Sequence, residues 1–342
     1  MSSSARVLED LRSKPRRWLV TGAGGFIGSN LAEALIRAGQ SVVGLDDFST
    51  GRRENYQKIL AACGAGAGKQ FTLVEGDIRS YDTCLEACRD VDLVLHEAAQ
   101  VSVPASLEDP ATTHEINVTG FLNILRAAHG RKVSRVVYAS SCAVYGDSTR
   151  LPLTEDLPAQ PLSPYAASKL ANEAYAEAFS RSFGMEIVGL RYFNVFGPRQ
   201  DPHGAYAAVI PLWTAAMIQN QPARIFGDGS TTRDFCHVMN IVQANLLAAT
   251  ASMGASRHEV FNVAANDRTS LGELFEMLRV ALLPDHPRLK SFRAIHEDFR
   301  PGDIRHSQAD ISKARRLLGY APTHSVARGL QETLAWYKNT PP

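Results

Sequence analysis

Apolar residues first gather in short continuous blocks, each followed by polar or small residues. Trp18-Leu19-Val20, Ser41 to Leu45, Phe71 to Glu75, Val91 to Leu95, Ser134 to Ala139 and Met185 to Arg191 are such blocks. Runs of this length bounded by turn residues predict six buried strands. Between them the apolar positions recur with helical spacing. Leu31, Leu35 and Ile36 define one helix that Gly39 ends, and Leu170, Ala171, Ala174, Tyr175 and Phe179 define another. After Gly197 the alternation is lost, and Pro198 to Pro211 reads as loop. A helix begins at Ser270, where Glu273 completes a capping box and Leu271, Leu274, Phe275 and Leu278 form its apolar face. Another begins after Asp310 and stops at Gly319, with Pro322 beyond. Residues 5–14 predict a short charged helix with Val7, Leu8 and Leu11 on one face, and Ala61 to Gly68 an Ala/Gly-rich surface loop.

Composition narrows the class. The 342 residues are 45% hydrophobic, enough to bury a large core in one large domain or two modest ones. The net charge of +1 gives no bulk attraction to nucleic acid or membrane. Five cysteines make no paired disulfide framework; Cys84 and Cys88 read as buried thiols on a helix, and no metal site is expected. The N-terminus lacks a signal-peptide pattern, and no apolar stretch approaches the length of a membrane span. A cytoplasmic location is expected.

The first strand runs into Thr21-Gly22-Ala23-Gly24-Gly25-Phe26-Ile27-Gly28, a helix follows, and the second strand delivers Asp46 and Asp47. Strand, glycine loop, helix, strand and acid in this order form a dinucleotide-binding unit. The glycines let backbone N–H groups approach a pyrophosphate, and the helix N-terminus adds partial positive charge. Asp46 stands where an acid binds the adenine ribose hydroxyls and repels a 2′-phosphate, so NAD is expected rather than NADP. Arg52 and Arg53 lie beyond the strand end. The expected fold is α/β: a Rossmann-type doubly wound parallel sheet with a smaller mixed α/β C-terminal substrate lobe. The expected division is an extension at 1–16, an NAD-binding domain at 17–197 joined by some later segments, and mainly a substrate lobe at 198–342.

Tyr165 and Lys169 lie four apart in the helical run opened by Ser163-Pro164, on one face and one turn apart. A phenol has an ordinary pKa of about 10, and a neighbouring ammonium favours its ionised form. Such a pair makes a base that works near neutrality. The same two residues would also suit a half-buried aromatic beside a surface charge; the glycine signature upstream favours the catalytic reading.

From Trp18 to about Pro322 the chain resembles the extended short-chain dehydrogenase/reductase family, and within it the UDP-sugar 4-epimerases. It is most similar to the bacterial branch that interconverts UDP-N-acetylglucosamine and UDP-N-acetylgalactosamine for surface polysaccharides. Thr21 to Gly28, Ser163 to Lys169, Arg191 to Gln200, Gly227 to His237 and Asp298 to Ser307 carry the resemblance. It implies that Tyr165 takes the proton of the sugar 4-hydroxyl while C4 gives hydride to the nicotinamide. By the same resemblance Ser141 would bond that hydroxyl and relay its proton, and Lys169 would hold the cofactor ribose and keep Tyr165 ionisable. The 4-keto sugar then turns over and takes hydride back on its other face, with no net redox change.

The resemblance also implies the contacts. NAD would meet Gly22, Gly25, Phe26, Ile27 and Gly28; Asp46, Asp47, Phe48, Ser49, Thr50 and Gly51; Asp77 and Ile78; Ala98, Ala99, Gln100 and Asn117; and Tyr165, Lys169 and Phe193. The UDP-sugar would meet Ser102, Ser141, Tyr165, Asn194, Ala208, Val209, Ile225, Arg233, Arg300, Asp303 and Ser307. Arg233 and Arg300 would grip the diphosphate, for which a guanidinium fork is suited. Asp303 would accept from the uridine ribose, and Ser307 would lie beside the sugar 2-substituent. A homodimer is implied, through a four-helix bundle made by the helix near Ala111 to Ala128 and the helix carrying Tyr165. The sequence departs from the branch at Glu97, usually Gln, and at Cys142 and Ala143, often serines.

Three other readings compete. A dehydratase or decarboxylase needs an extra acid after Ser141, where this chain has Cys142. An epimerase acting on a UDP-N-acetylhexosaminuronic acid would share every motif above. A non-catalytic NAD-binding protein could use the same fold, but here Tyr165, Lys169 and Ser141 are all present.

Overall fold

The structure, a computed structural model, describes residues 3–64, 66–202, 208–299 and 304–339. Its strands are β1 (Arg17–Thr21), β2 (Ser41–Asp46), β3 (Phe71–Glu75), β4 (Leu93–His96), β5 (Arg135–Ser141), β6 (Glu186–Tyr192), β7 (Val195–Phe196), β8 (Arg224–Phe226), β9 (Thr232–Arg233), β10 (Cys236–His237), β11 (His258–Val263), β12 (Thr269–Ser270) and β13 (Ile295–Glu297). Seven of them form one sheet in the order β11-β6-β5-β4-β1-β2-β3. Every pairing in that sheet is parallel. Trp18, Leu19, Val20, Val94 and Leu95 are fully enclosed, because helices cover both faces of such a sheet.

All six strands expected from sequence are present, within a residue or two of their expected ends. The seventh, β11, comes from the half of the chain where the alternation had seemed lost, and pairs with β6 along its length. The Ala/Gly-rich stretch expected as loop is mostly helical: one helix covers Arg53–Cys63 and a short one Ala67–Gln70. The helix expected near Ala111 to Ala128 contains a π-helical turn, Glu115–Thr119, between α-helical Pro110–His114 and Gly120–Gly130.

Local signals fix the important boundaries. In the helix Pro164–Phe183, Ser163 Oγ accepts from Ala166 N at 3.2 Å, Pro164 occupies the first turn, and Gly184 ends it in the left-handed region. Ser270 and Glu273 form the reciprocal cap of the helix Leu271–Leu282. The N-terminal helix, Ser3–Ser13, buries Val7 and Leu11, and Gln40 Nε2 donates to the Leu11 carbonyl at 2.8 Å. A separate core of Trp213, Ile225, Phe275, Leu278 and Leu330 lies in the C-terminal part. Among the described residues no helix is long and apolar enough to cross a membrane.

The sheet order reverses between β1 and β4. A crevice opens at such a switch point, at the carboxyl ends of the strands. The glycine loop leaves β1 there and Glu97 to Gln100 leave β4 beside it. The two loops touch: a Cβ on Gly22, whose φ is +67°, would lie 2.9 Å from Ala98 N.

Candidate active site

The glycine loop is fixed from several sides. Asp46 Oδ2 accepts from Gly24 N and Asp46 Oδ1 from Phe48 N, each at 2.8 Å. Asn55 Nδ2 donates to the Gly24 carbonyl at 2.8 Å, a support the sequence did not single out. A Cβ on Gly28 would lie 2.1 Å from the Gly22 carbonyl oxygen, so the helix Phe26–Arg37 can close on the loop only with glycine there. That helix starts at Gly25 without a side-chain cap, which leaves its first N–H groups for a ligand anion. Asp46 is buried, and burial raises its pKa against the pull of the backbone bonds. The arginines beyond β2 are engaged elsewhere: Arg52 pairs with Asp201 at 2.7 Å and Arg53 with Glu75. The cradle, its acid and the uncapped helix end fit a dinucleotide.

Asn117 lies in the π-helical turn, a deformation common at functional sites. Its amide exchanges two bonds with the Gln100 backbone, at 2.8 and 2.9 Å, and donates to Ser168 Oγ at 2.9 Å. Ser168 Oγ donates in turn to the Tyr165 carbonyl at 2.7 Å. The loop after β4 is thereby tied to the helix carrying Tyr165 and Lys169. Thr21 Oγ1 joins the two switch-point loops, bonding His96 Nδ1 at 2.8 Å and accepting from Ala98 N at 3.1 Å. Burial holds His96 neutral, its pKa pushed down to about 3.

Tyr165 and Ser141 come together as expected and share a hydrogen bond. Lys169 lies one turn on, its Nζ 5.9 Å from the centre of the Tyr165 ring and 2.9 Å from the Ala139 carbonyl, to which it donates. The expected electrostatics are reversed. Burial pushes the Tyr165 phenol up to about 12, opposed by the Ser141 bond, and the Lys169 ammonium down to about 8. The ammonium bonds a main-chain carbonyl in place of the phenol, so desolvation outweighs attraction. Glu97 is close enough for its charge to act on Lys169. Burial pushes the Glu97 carboxyl up to about 8, and its Oε2 is enclosed without a partner among the described residues.

At the sugar end, Asn194, held at φ +30°, donates from Nδ2 to the Asp234 carbonyl at 3.0 Å. The same nitrogen lies 3.5 Å from Ser307 Oγ. Ser307 is buried and its N–H donates to the Thr232 carbonyl at 3.1 Å. Arg233, next to that carbonyl, acts electrostatically on Cys142, whose thiol burial pushes up to about 11. Ser141, Cys142, Asn194, Arg233 and Ser307 therefore meet in one region. Val209 opens the helix Val209–Gln219, with Ala208 as its N-cap. Ser102 caps the helix Val103–Glu108, accepting from Ala105 N at 3.1 Å. Asp77 pairs with Arg79 at 2.6 Å, which lowers its pKa although burial alone would raise it. The side chains of Phe193, Ile225 and Ile78 are in hydrophobic cores and not free to reach a ligand. Arg300 and Asp303 lie outside the described residues.

Fold and site together define a dinucleotide-binding α/β enzyme. The NAD dependent epimerase/dehydratase family matches residues 18–264; the chain belongs to it, and its cofactor is NAD. Among relatives, UDP-glucose 4-epimerase of Mycolicibacterium smegmatis is 38% identical over 326 residues, 94% of this chain and 99% of that protein. The structure is similar to UDP-N-acetylglucosamine 4-epimerase from Methanobrevibacter ruminantium in complex with UDP-N-acetylmuramic acid, with TM-score 0.86 and 36% identity over 96% of this chain and 99% of that one. It is also similar to UDP-glucuronic acid 4-epimerase from Bacillus cereus in complex with UDP-glucuronic acid and NAD, with TM-score 0.83 and 30% identity over 95% of this chain and 99% of that one.

Proposed function

We propose that this chain is a UDP-sugar 4-epimerase that interconverts UDP-N-acetylglucosamine and UDP-N-acetylgalactosamine, with some use of UDP-glucose and UDP-galactose. The observation that carries the N-acetyl reading is the small Ser307 beside Asn194, 3.5 Å from its amide nitrogen. A serine there leaves room for an acetamido group on the sugar.

NAD would be held by the glycine loop, Asp46, the loop after β4 and Asn117; when bound it supplies a reversible hydride acceptor at the nicotinamide. Tyr165 takes the proton of the 4-hydroxyl. The hydrogen bond from Ser141 favours the phenolate and gives that proton a path. Lys169, whose ammonium donates to the Ala139 carbonyl one turn from Tyr165, supplies positive charge near the phenol. Arg233, with Arg300, neutralises the diphosphate, and Asn194 fixes the sugar. Residues 198–342 provide most of the UDP-sugar side. The helical stretch near Ala111 to Ala128 and the helix Pro164–Phe183 would pack against a second copy as a four-helix bundle; Phe183, 52% exposed at the end of the latter, suits such a surface.

A uronic-acid substrate is the second reading, favoured by the likeness to the glucuronic acid enzyme. Purified protein without added NAD should convert UDP-N-acetylglucosamine to UDP-N-acetylgalactosamine, followed by chromatography. Tyr165→Phe should fold and bind NAD but turn over at least about a hundredfold more slowly. Turnover confined to UDP-glucuronic acid or its N-acetylated forms would transfer the assignment to the second reading. Full activity of the Tyr165 variant would remove that residue as the base.

A further inference from the structure

His237 presents an unresolved polar problem away from Tyr165. It ends β10 and is 1% exposed, yet neither ring nitrogen has a hydrogen-bond partner among the described residues. An enclosed imidazole with both nitrogens unsatisfied is costly. Its neighbours are not apolar. The His324 ring lies against it with centroids 4.8 Å apart, and His324 Nε2 is 3.2 Å from Glu332 Oε2. One donor atom from each of the three falls within 4.8 Å of the others.

We propose that His237, His324 and Glu332 bind a divalent transition cation of the zinc class, which fastens the C-terminal helix Val326–Asn339 to the strand pair β7–β10.

Two imidazoles and a carboxylate form a set that suits zinc and its neighbours and does not suit the all-oxygen preference of magnesium or calcium.

The surroundings already orient the ligands. His324 Nδ1 bonds Thr323 Oγ1 at 2.9 Å. Asn240 latches the loop of His324 in place, accepting from Thr323 N and His324 N at 2.9 and 3.1 Å and donating to the His324 carbonyl at 2.8 Å. Arg328 Nε occupies Glu332 Oε1 at 3.0 Å and leaves Oε2 toward His324, as an outer-shell partner of a ligating carboxylate does. Gly329 brings the helix onto the site: a Cβ there would lie 2.9 Å from His237 Cβ and 2.8 Å from Phe196 Cζ.

Bonds of about 2.0–2.1 Å at tetrahedral angles place donors roughly 3.4 Å apart. The cluster must therefore contract slightly, with one imidazole rotating out of its near-parallel stack. Glu332 allows this from the open side, its side chain 41% exposed, and a water there would complete the coordination.

The test uses the full-length protein, stripped with a chelator and titrated with Zn²⁺ by calorimetry, with Co²⁺ for its visible absorption and Mg²⁺ as control. About one equivalent of Zn²⁺ should bind and raise Tm, Co²⁺ should show bands of four- or five-coordination, and Mg²⁺ should do neither. Glu332→Gln at the exposed edge should keep the fold and weaken Zn²⁺ at least about tenfold; His324→Gln should abolish site binding. Circular dichroism reports folding of each variant independently. No saturable Zn²⁺ binding, or binding that both folded variants retain at full affinity, would overturn the site.

Discussion

Tyr192 donates its hydroxyl hydrogen to Glu97 Oε1 at 2.8 Å, fixing one oxygen of a carboxyl whose charge also acts on Lys169. Asn245 Nδ2 donates to the same phenol oxygen at 2.7 Å. The phenol is thus committed at both ends, and the other carboxyl oxygen has no partner among the described residues. Burial favours the protonated acid, against the pull of the Tyr192 bond and of Lys169.

The arrangement predicts a pH dependence. Burial raises Glu97 to about 8 in the folded chain from an ordinary 4.5. Between those values the folded protein holds a proton that the unfolded chain has lost. The stability this contributes is complete below the unfolded value and is lost as pH rises through the folded one. Glu97→Gln removes the titration and keeps the shape. From pH 5 to pH 8, wild type should lose stability relative to the variant in urea unfolding. Parallel curves would show that Glu97 is ionised throughout.

Asp46 should govern cofactor choice. It bonds two main-chain N–H groups of the cofactor cradle and would face the adenine ribose. Asp46→Asn removes the charge at nearly constant volume. Bonds to a charged group contribute about 1.5–3 kcal/mol, so NAD affinity should fall about tenfold or more. The preference for NAD over NADP should narrow with it. Fluorescence titration with both cofactors measures this, and an unchanged preference would assign discrimination to another group.

Gly28→Ala should act on the cradle itself. The added methyl would meet the main-chain oxygen of Gly22 at 2.1 Å, and a backbone atom cannot step aside as a flexible side chain can. Overpacking of this kind costs about 1–3 kcal/mol. A lowered Tm together with loss of bound NAD is expected. A variant with wild-type Tm and bound NAD would mean that the loop has room the structure does not show.

Much of this was legible beforehand for definite reasons. The fully buried strands announce themselves as apolar blocks, and the glycine signature works because its positions tolerate no side chain. Ser163, Pro164, Gly184 and the Ser270–Glu273 pair set helix ends through local bonds that sequence spacing encodes. The seventh strand, β11, was not legible: His258, Glu259 and Asn262 interrupt its apolar pattern, and only pairing with β6 makes it a strand. The phenol's raised pKa was also out of reach, because it comes from burial that only the folded chain provides. Asn117 could be placed by resemblance, but its π-helical turn could not, since that turn is stabilised by Gln100 and Ser168 from elsewhere in the chain. The approach of His324 to His237 depends on Asn240 and the packing of the last helix, and no short spacing records it.

Substrate choice should turn on Ser307. A residue that merely followed His306 in a turn would be exposed, whereas Ser307 is buried, bonded through its N–H to Thr232 and placed beside Asn194. His306 Nδ1 bonds Thr232 Oγ1 at 2.9 Å, which pins the segment on both sides of the main chain. Little freedom remains for a larger side chain to swing away. An acetamido group is several heavy atoms larger than a hydroxyl, and a packed pocket cannot hold both it and a phenol ring. Ser307→Tyr should therefore abolish epimerisation of UDP-N-acetylglucosamine while part of the activity on UDP-glucose survives. A clash of more than about 3 kcal/mol in the productive pose corresponds to roughly a hundredfold or more in rate. The measurement is kcat/KM for both substrates in wild type and variant. Equal losses on the two, or an untouched N-acetylated substrate, would detach Ser307 from the 2-substituent and withdraw the main support for the N-acetylhexosamine reading.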